Sequence, residues 1–443
     1  MFSKTTFCSL PWSSIQINPS GNFKICCFSG NRNKFNQDNH GIGKGEDGNV
    51  MNILTHSISE ALNSDLHKEL RLAQSRNERH EVCRVCWDKE DSHVEYSKSD
   101  GDYKVMTSGA YSYRIGQTFV RLKDHAVSME EAPKIMASDG SIDNIPISLD
   151  IRFSNLCNAK CIQCSPTYSS LWYSDHVALT GSNEFNVGPK SYKIRQEGNK
   201  FLTDMVRWHD SPIWWEQFEL IKHRLKRIYI TGGEPFLQPS HDEMLDRLIS
   251  ADLAKDISLA YDTNLTAIND KILTRLNHFK DVKLGVSVDD THERYELIRY
   301  PCSWNKLLSN LERIKEYKNL NVTITSCVGI FDIYAPMRLY STFAPLGFEK
   351  FSYRILRFPE CYDMANFPEY ARKQIVANYD DSDIPMAHKA MVIGYIKNSR
   401  RTDEECQKEI NKYVTRMDAL DKLRGTDWRA TFPETVELLR GYI

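Results

Sequence analysis

The sequence predicts an α/β protein: an open, partial (βα)6 barrel over residues 146–360, a small cysteine-rich α+β unit ahead of it, and a helical extension behind it. Three observations carry this reading. From Pro146 short apolar runs alternate with segments of helical periodicity, the pattern of parallel strands joined by crossover helices. Eight of the 12 cysteines fall within the first 164 residues, which concentrates any metal chemistry there. Beyond residue 361 the chain is polar and helix-periodic, with no strand pattern.

At 443 residues the chain is long enough for two domains and a sizeable core. Hydrophobic residues make up 41% and charged residues 26%, the balance of a globular protein. With 57 Lys and Arg against 59 Asp and Glu, the net charge of −2 predicts no grip on extended nucleic acid or an anionic membrane. No stretch approaches the roughly 20 apolar residues of a membrane span, and the start lacks the apolar core of a signal peptide. A cytoplasmic protein is expected, in which cysteines serve as metal ligands or thiols rather than disulfides.

Taken in order, residues 1–90 hold Cys8 before Leu10-Pro11-Trp12, then an alternating strand over 14–18 and a turn at Pro19-Ser20-Gly21-Asn22. A second alternating segment, 23–28, carries Cys26 and Cys27 and completes a hairpin. A helix follows over about 58–76, with Leu62, Leu66, Leu70 and Leu72 along one side, and the unit ends in Cys83-Arg84-Val85-Cys86. Gly43-Lys44-Gly45-Glu46-Asp47-Gly48 matches G-x-G-x-x-G but has neither a strand before it nor a helix after it, so it reads as a loop. Residues 91–145 read as a linker with one or two short elements.

The barrel strands are expected at 147–153, 227–231, 256–261, 282–290, 321–328 and 351–357. An excursion over 165–224 contains a helix near 214–223 that packs Trp215, Phe218 and Ile221 inward. Ser240-His241-Asp242-Glu243 reads as a capping box. In the extension, helices are expected near 367–378, 385–398 and 403–424.

The first barrel strand delivers Cys157, Cys161 and Cys164 onto one loop, spaced C-x3-C-x2-C. Three thiolates are one short of a closed zinc site, whereas a four-iron cluster held by three cysteines keeps one iron open. A zinc site completed from elsewhere, or three buried thiols, are the alternatives. The second strand runs into Gly232-Gly233-Glu234-Pro235, and the fourth ends in Ser287-Val288-Asp289. These motifs fall at the C-terminal ends of strands, where barrels carry their sites.

At these residues the sequence resembles the radical S-adenosylmethionine (SAM) superfamily, whose members hold a 4Fe-4S cluster on C-x3-C-x2-C in a partial TIM barrel. The resemblance implies that SAM binds the open iron and that reductive cleavage yields a 5′-deoxyadenosyl radical. It assigns Gly232, Gly233 and Glu234 to the SAM amino group, Ser287 and Asp289 to the ribose, Asn264 to a neighbouring turn, and Arg299 to the SAM carboxylate. Two positions depart from the family pattern: Gln163 stands where an aromatic residue is common, and Leu265 stands where the family has the glycine of Thr-Asn-Gly, so the turn is expected to differ.

Residues 1–90 resemble a twitch domain, the short form of the SPASM domain, which carries an auxiliary iron–sulfur cluster. The ligands implied are Cys8, Cys26, Cys83 and Cys86, with Cys27 as alternative to Cys26; a four-cysteine zinc ribbon is the other reading of the same spacing. The resemblance further implies a flavodoxin- or ferredoxin-type electron donor and a peptide or small-molecule substrate. Cys327 and Cys361, near the ends of the fifth and sixth strands, are candidate hydrogen donors to a substrate radical, though such cysteines are commonly core residues.

Overall fold

The computed structural model describes residues 6–27, 29, 42–45, 48–84, 86–87, 95–99, 102–106, 127–143, 146–187 and 190–443. The chain divides into two compact units. The first comprises Met1–Leu156, Asn183–Tyr261 and Asn269–Val282, the second Cys157–Ser182, Asp262–Ile268 and Lys283–Ile443.

In the first unit a hairpin joins β1 (Ser14–Ile17) to β2 (Phe23–Lys24). Asn18 builds the turn, its Oδ1 accepting from Ser20 N, Ser20 Oγ and Asn22 N at 3.0, 2.7 and 3.0 Å, while Gly21 supplies φ +83°. Phe28, the expected end of the hairpin, lies outside the described residues, as does most of the 91–145 linker. Within that linker, β3 (Glu95–Ser99) and β4 (Asp102–Met106) form an antiparallel hairpin.

β1 also pairs in parallel with β5 (Ser148–Ile151), Ser14 opposite Ser148 and Ile17 opposite Ile151. The strand beside Cys8 therefore extends the sheet that leads to Cys157. Three strands absent from the sequence reading follow, β6 (Glu184–Val187), β7 (Lys190–Glu197) and β8 (Lys200–Thr203), which form a separate antiparallel sheet. Its inward residues Phe185, Val187, Tyr192 and Ile194 alternate with exposed polar ones, the period of a half-buried strand. β5 then pairs in parallel with β9 (Arg227–Ile230), and β9 with β10 (Ser258–Thr263).

Parallel strands covered on both faces are ordinarily apolar throughout. Here one face is: Ile15, Ile17, Leu149, Ile151, Ile228 and Ile230 are all buried. The registers place Lys24, Gln16, Asp150 and Tyr229 in one lateral row on the other face, with Gln16 and Asp150 fully buried.

Three local expectations are corrected. The helix expected over 58–76 is two helices, Ile58–Leu62 and Asp65–Ser75. Asn63 breaks it, spending its amide on the backbone of Ile142 at 2.8 and 2.9 Å. In the helix Pro212–Ile221 the inward residues are Trp214, Phe218 and Ile221, at i, i+4 and i+7, rather than Trp215. The helix Pro239–Ser250 starts on a proline and has no side-chain cap; Ser240 instead lies 2.7 Å from His209 Nδ1.

The second unit takes up β11 (Asp281–Ser287) from Lys283 and continues through β12 (Leu320–Val328) and β13 (Phe351–Ile355), the last two parallel with Ile324 opposite Phe351. Helices Glu369–Asp380, Met386–Lys397 and Asp403–Arg424 follow. The longest opens on a capping box between Thr402 and Glu405 and closes on Gly425 at φ +69°. Their apolar faces, including Ile375, Ile393, Tyr413 and Met417, share one core with Val328, Phe331 and Tyr362. The α/β class with a parallel sheet holds. Among the described residues no helix is long and apolar enough to cross a membrane.

Candidate metal centre and cofactor site

The Cys157–Cys164 segment has no regular secondary structure, and its backbone is fixed from outside. Lys160 N donates to Tyr300 O at 2.7 Å and Ile162 N to Ile298 O at 2.8 Å, so the loop lies against residues 298–300 as an extra strand would. That pairing puts Arg299 opposite Cys161. Arg299 Nη1 lies 3.8 Å from Cys161 Sγ, and Nη2 pairs with Asp289 Oδ2 at 2.9 Å. Arg299 is not a solvent-facing arginine: it is only 9% exposed.

Asp289 is the hub of this arrangement. Fully buried just past β11, it accepts from Gln163 Nε2 at 2.6 Å and from Cys327 N at 2.9 Å as well as from Arg299. Gln163, the departure from the family's aromatic residue, thus has a physical reason: its amide ties the cysteine loop to the strand end. Ser287 is half-buried in the last position of β11.

The loop's near end is tied in the same way. Asn158 Nδ2 donates to Thr266 Oγ1, and Asn264 Nδ2 to Asn158 Oδ1, both at 2.8 Å, while Asn264 Oδ1 accepts from Thr266 N and Oγ1. Leu265 replaces the family's glycine without relaxing the turn: it sits at φ +62°, a conformation that costs a side chain of its kind about 1 kcal/mol or more. Its complete burial and the hydrogen bond of 2.8 Å from Asn310 Nδ2 to its carbonyl hold it there.

In the first unit, Gly232 and Gly233 follow β9 alongside residues 154–156. Gly233 N donates to Ser154 O at 3.0 Å and Glu234 N to Leu156 O at 2.7 Å. A Cβ on Gly233 would stand 2.1 Å from Leu156 O, so only glycine permits the approach. Gly232 takes φ +120°. Glu234 is buried and accepts from Phe236 N at 3.3 Å.

Cys8, Cys26, Cys27, Cys83 and Cys86 are all half-buried. Arg71 braces the segment that follows Cys8: its N–H groups reach Pro11 O at 2.8 and 3.1 Å, Leu62 O at 2.5 Å, Gly140 O at 3.1 Å and Asn63 Oδ1 at 3.3 Å. Cys361 lies in the apolar core of the second unit, where burial pushes its thiol up to about 11. Cys327 is half-buried on β12 beside Asp289.

The donor set suits an iron–sulfur cluster. Cys161 is buried, and burial raises its thiol while the Arg299 and Arg424 charges pull it back; Cys164 is pushed up to about 12, chiefly by burial. Such thiols stay protonated unless a metal takes the sulfur. Among the described residues no three His, Cys, Asp or Glu side chains are gathered closely enough to hold one metal ion. A four-iron cluster takes each cysteine on a different iron. Around the loop, Gln163 Oε1, Arg299 Nε and both terminal nitrogens of Arg424 are buried with no hydrogen-bond partner among the described residues.

A family model described as Radical SAM superfamily matches residues 151–333, and one described as an iron–sulfur cluster-binding domain, SPASM, matches 8–87. No curated protein matches the chain. Among solved structures, native anSMEcpe with bound AdoMet is 21% identical at a TM-score of 0.34, over 53% of this chain and 62% of that one. The chain therefore spans about three-fifths of the length of that relative. SuiB of Streptococcus suis bound to precursor peptide SuiA is 12% identical at 0.32, over 87% and 71%. The radical S-adenosylmethionine methyltransferase TsrM of Kitasatospora setae, with cobalamin and a [4Fe-4S] cluster bound, is 10% identical at 0.34, over 66% and 49%. Its two family matches give the chain a radical SAM domain over residues 151–333 and, on its N-terminal side, a SPASM-type iron–sulfur cluster-binding domain over residues 8–87.

Proposed function

We propose that this chain is a radical SAM enzyme built on an open six-unit barrel (146–360), acting in the cytoplasm on a peptide or peptide-like substrate. Cys157, Cys161 and Cys164 would hold the 4Fe-4S cluster. When bound, that cluster and SAM supply a 5′-deoxyadenosyl radical able to take hydrogen from a C–H bond. The observation that carries the reading is the cysteine loop, pinned to residues 298–300 so that Arg299 faces Cys161 and Asp289 ties Arg299 to Gln163.

The chain's own residues would position and exclude. Gly232, Gly233 and Glu234 would present backbone and carboxylate to the SAM amino group, Asn264 and Ser287 stand at strand ends, and Arg299 would offer a carboxylate its Nε, which has no hydrogen-bond partner among the described residues. Asp289, whose oxygens already serve Gln163, Cys327 and Arg299, acts by holding Arg299 rather than by reaching the ribose. Cys8, Cys26, Cys83 and Cys86, with Cys27 in reserve, would hold a second cluster, and the electron donor is of flavodoxin or ferredoxin type. The peptide class rests on the SPASM-type domain; Cys327, beside Asp289, is the better placed of the two candidate hydrogen donors.

The test is iron, sulfide and zinc content with electron paramagnetic resonance on anaerobically reconstituted protein, with and without SAM. Roughly eight irons should fall to four when Cys157, Cys161 and Cys164 are all replaced by Ala, and the SAM-dependent spectrum and 5′-deoxyadenosine formation should vanish together. Zinc in place of iron, or a spectrum indifferent to SAM, would make this a non-catalytic metal protein.

A further inference from the structure

The helix Asp403–Arg424 ends on a side chain packed against the segments that hold the cysteine loop. Arg424 is 1% exposed at its side chain. Its Nε donates to Asp175 Oδ2 at 2.9 Å, and its guanidinium stands 5.0 Å from the Trp172 ring centre and 5.4 Å from that of Tyr300. Both rings belong to segments fastened to the loop: Trp172 Nε1 donates to Cys161 O at 2.8 Å, and Tyr300 O accepts from Lys160 N at 2.7 Å. Nη1 and Nη2 find no hydrogen-bond partner among the described residues. Burying a guanidinium with most of its N–H groups unpaired is costly unless an anion shares the site.

Asp175 does not cancel this charge, because Lys160 Nζ holds its other oxygen at 2.6 Å, so two cations divide one carboxylate. The other buried cation of the loop, Arg299, is matched one for one by Asp289. The Arg416 guanidinium also stands over Trp172, 5.4 Å from its ring centre, so the segments behind the loop carry positive charge in excess on the Arg424 side. A four-iron cluster on three thiolates is anionic and becomes more so on reduction, and its potential follows the charge around it.

Resting on the cluster reading above, we propose that Arg424 is the charge-compensating residue of the SAM cluster: it favours the reduced state and makes the C-terminal helix part of the redox centre. Arg424 is a positioning residue in this role, acting through its charge behind Cys161 and not on substrate.

The experiment is an anaerobic redox titration of the SAM-sensitive paramagnetic signal, with iron content, in the full chain and in Arg424→Gln, Arg424→Lys and Asp175→Asn. Arg424→Gln should shift the midpoint to more negative potential, Arg424→Lys should stay near wild type, and Asp175→Asn, which removes a negative charge, should shift it the opposite way. A wild-type potential in Arg424→Gln, or shifts of the same sign in Arg424→Gln and Asp175→Asn, would overturn the proposal and leave Arg424 a packing residue. Should Arg424→Gln lose its iron, recovery of iron and potential by Arg424→Lys supports the proposal, and failure of both overturns it. Wild-type protein without iron overturns the cluster reading itself, and this proposal with it.

Discussion

Two buried arginines stand behind the two sets of cysteines, and they are used in opposite ways. Arg71, behind Cys8, spends its guanidinium on four acceptors, three of them backbone carbonyls, and is fully buried on the face of Trp12. Arg424, behind Cys161, has a side chain only 1% exposed but, among the described residues, makes one hydrogen bond and leaves both terminal nitrogens unpaired. A satisfied buried arginine is a strut, because every N–H is matched within the fold. An unsatisfied one keeps its charge and donors for something the fold alone does not provide. Burial by itself does not separate structure from function here; the tally of hydrogen bonds does.

The sharpest way to break this comparison is to remove the strut. Arg71→Met would leave the carbonyls of Pro11, Leu62 and Gly140 without their donor in a dry site, at a cost of about 4 kcal/mol or more. The N-terminal unit should fail to fold or melt far below wild type, with its iron lost. If Arg71→Met melts like wild type, the strut reading is wrong.

Next in size is the entry to the cysteine loop. Gly233→Ala would drive a methyl group into Leu156 O, the residue before Cys157, and should cost about 3 kcal/mol by backbone displacement. Roughly half of the iron should be lost, from the SAM cluster, while the N-terminal cysteines keep theirs. Equal loss from both sites would show that the two cysteine regions fail as one.

The smallest effect is a pH dependence confined to the N-terminal side. His67, buried in the same helix as Arg71, lies 2.9 Å from Ser64 Oγ, and burial pulls it down to about 3 from an ordinary 6.5. The folded imidazole is neutral, so below pH 6.5 the unfolded chain binds a proton that the folded one does not. The stability His67 allows is present in full above 6.5 and declines by about 1.4 kcal/mol per pH unit as pH falls from 6.5 towards 3. Urea midpoints followed by tryptophan fluorescence at pH 7.5 and 5.5 should converge in His67→Gln; an unchanged pH slope in that variant would exclude His67 as the cause.

The β-strands were legible because their signals are local. Runs such as Arg227-Ile228-Tyr229-Ile230 are short, β-branched and closed by glycine, and each predicted strand lies within a few residues of the observed one. The 22-residue helix Asp403–Arg424 was readable to its ends from Thr402, Glu405 and Gly425. The break at Asn63 was not, since Leu62, Leu66 and Leu70 keep helical spacing across it and the cause, Ile142, is far along the chain. Likewise β6 to β8 pair among themselves, and their alternation is short enough to read as loop.

For the site, the sequence by itself determined the candidate donors: three cysteines at C-x3-C-x2-C, a Gly-Gly-Glu-Pro after a strand, and a Ser-x-Asp after another, because these are chemical identities at fixed local spacing. Only the tertiary structure decided what surrounds them. The pairing of the loop with residues 298–300 turned Arg299 onto Cys161, Gln163 found Asp289, and Arg424, 263 positions after Cys161, arrived beneath the same loop. Charge acts through space and not along the chain, so which cations face a buried sulfur is fixed only when distant segments pack together.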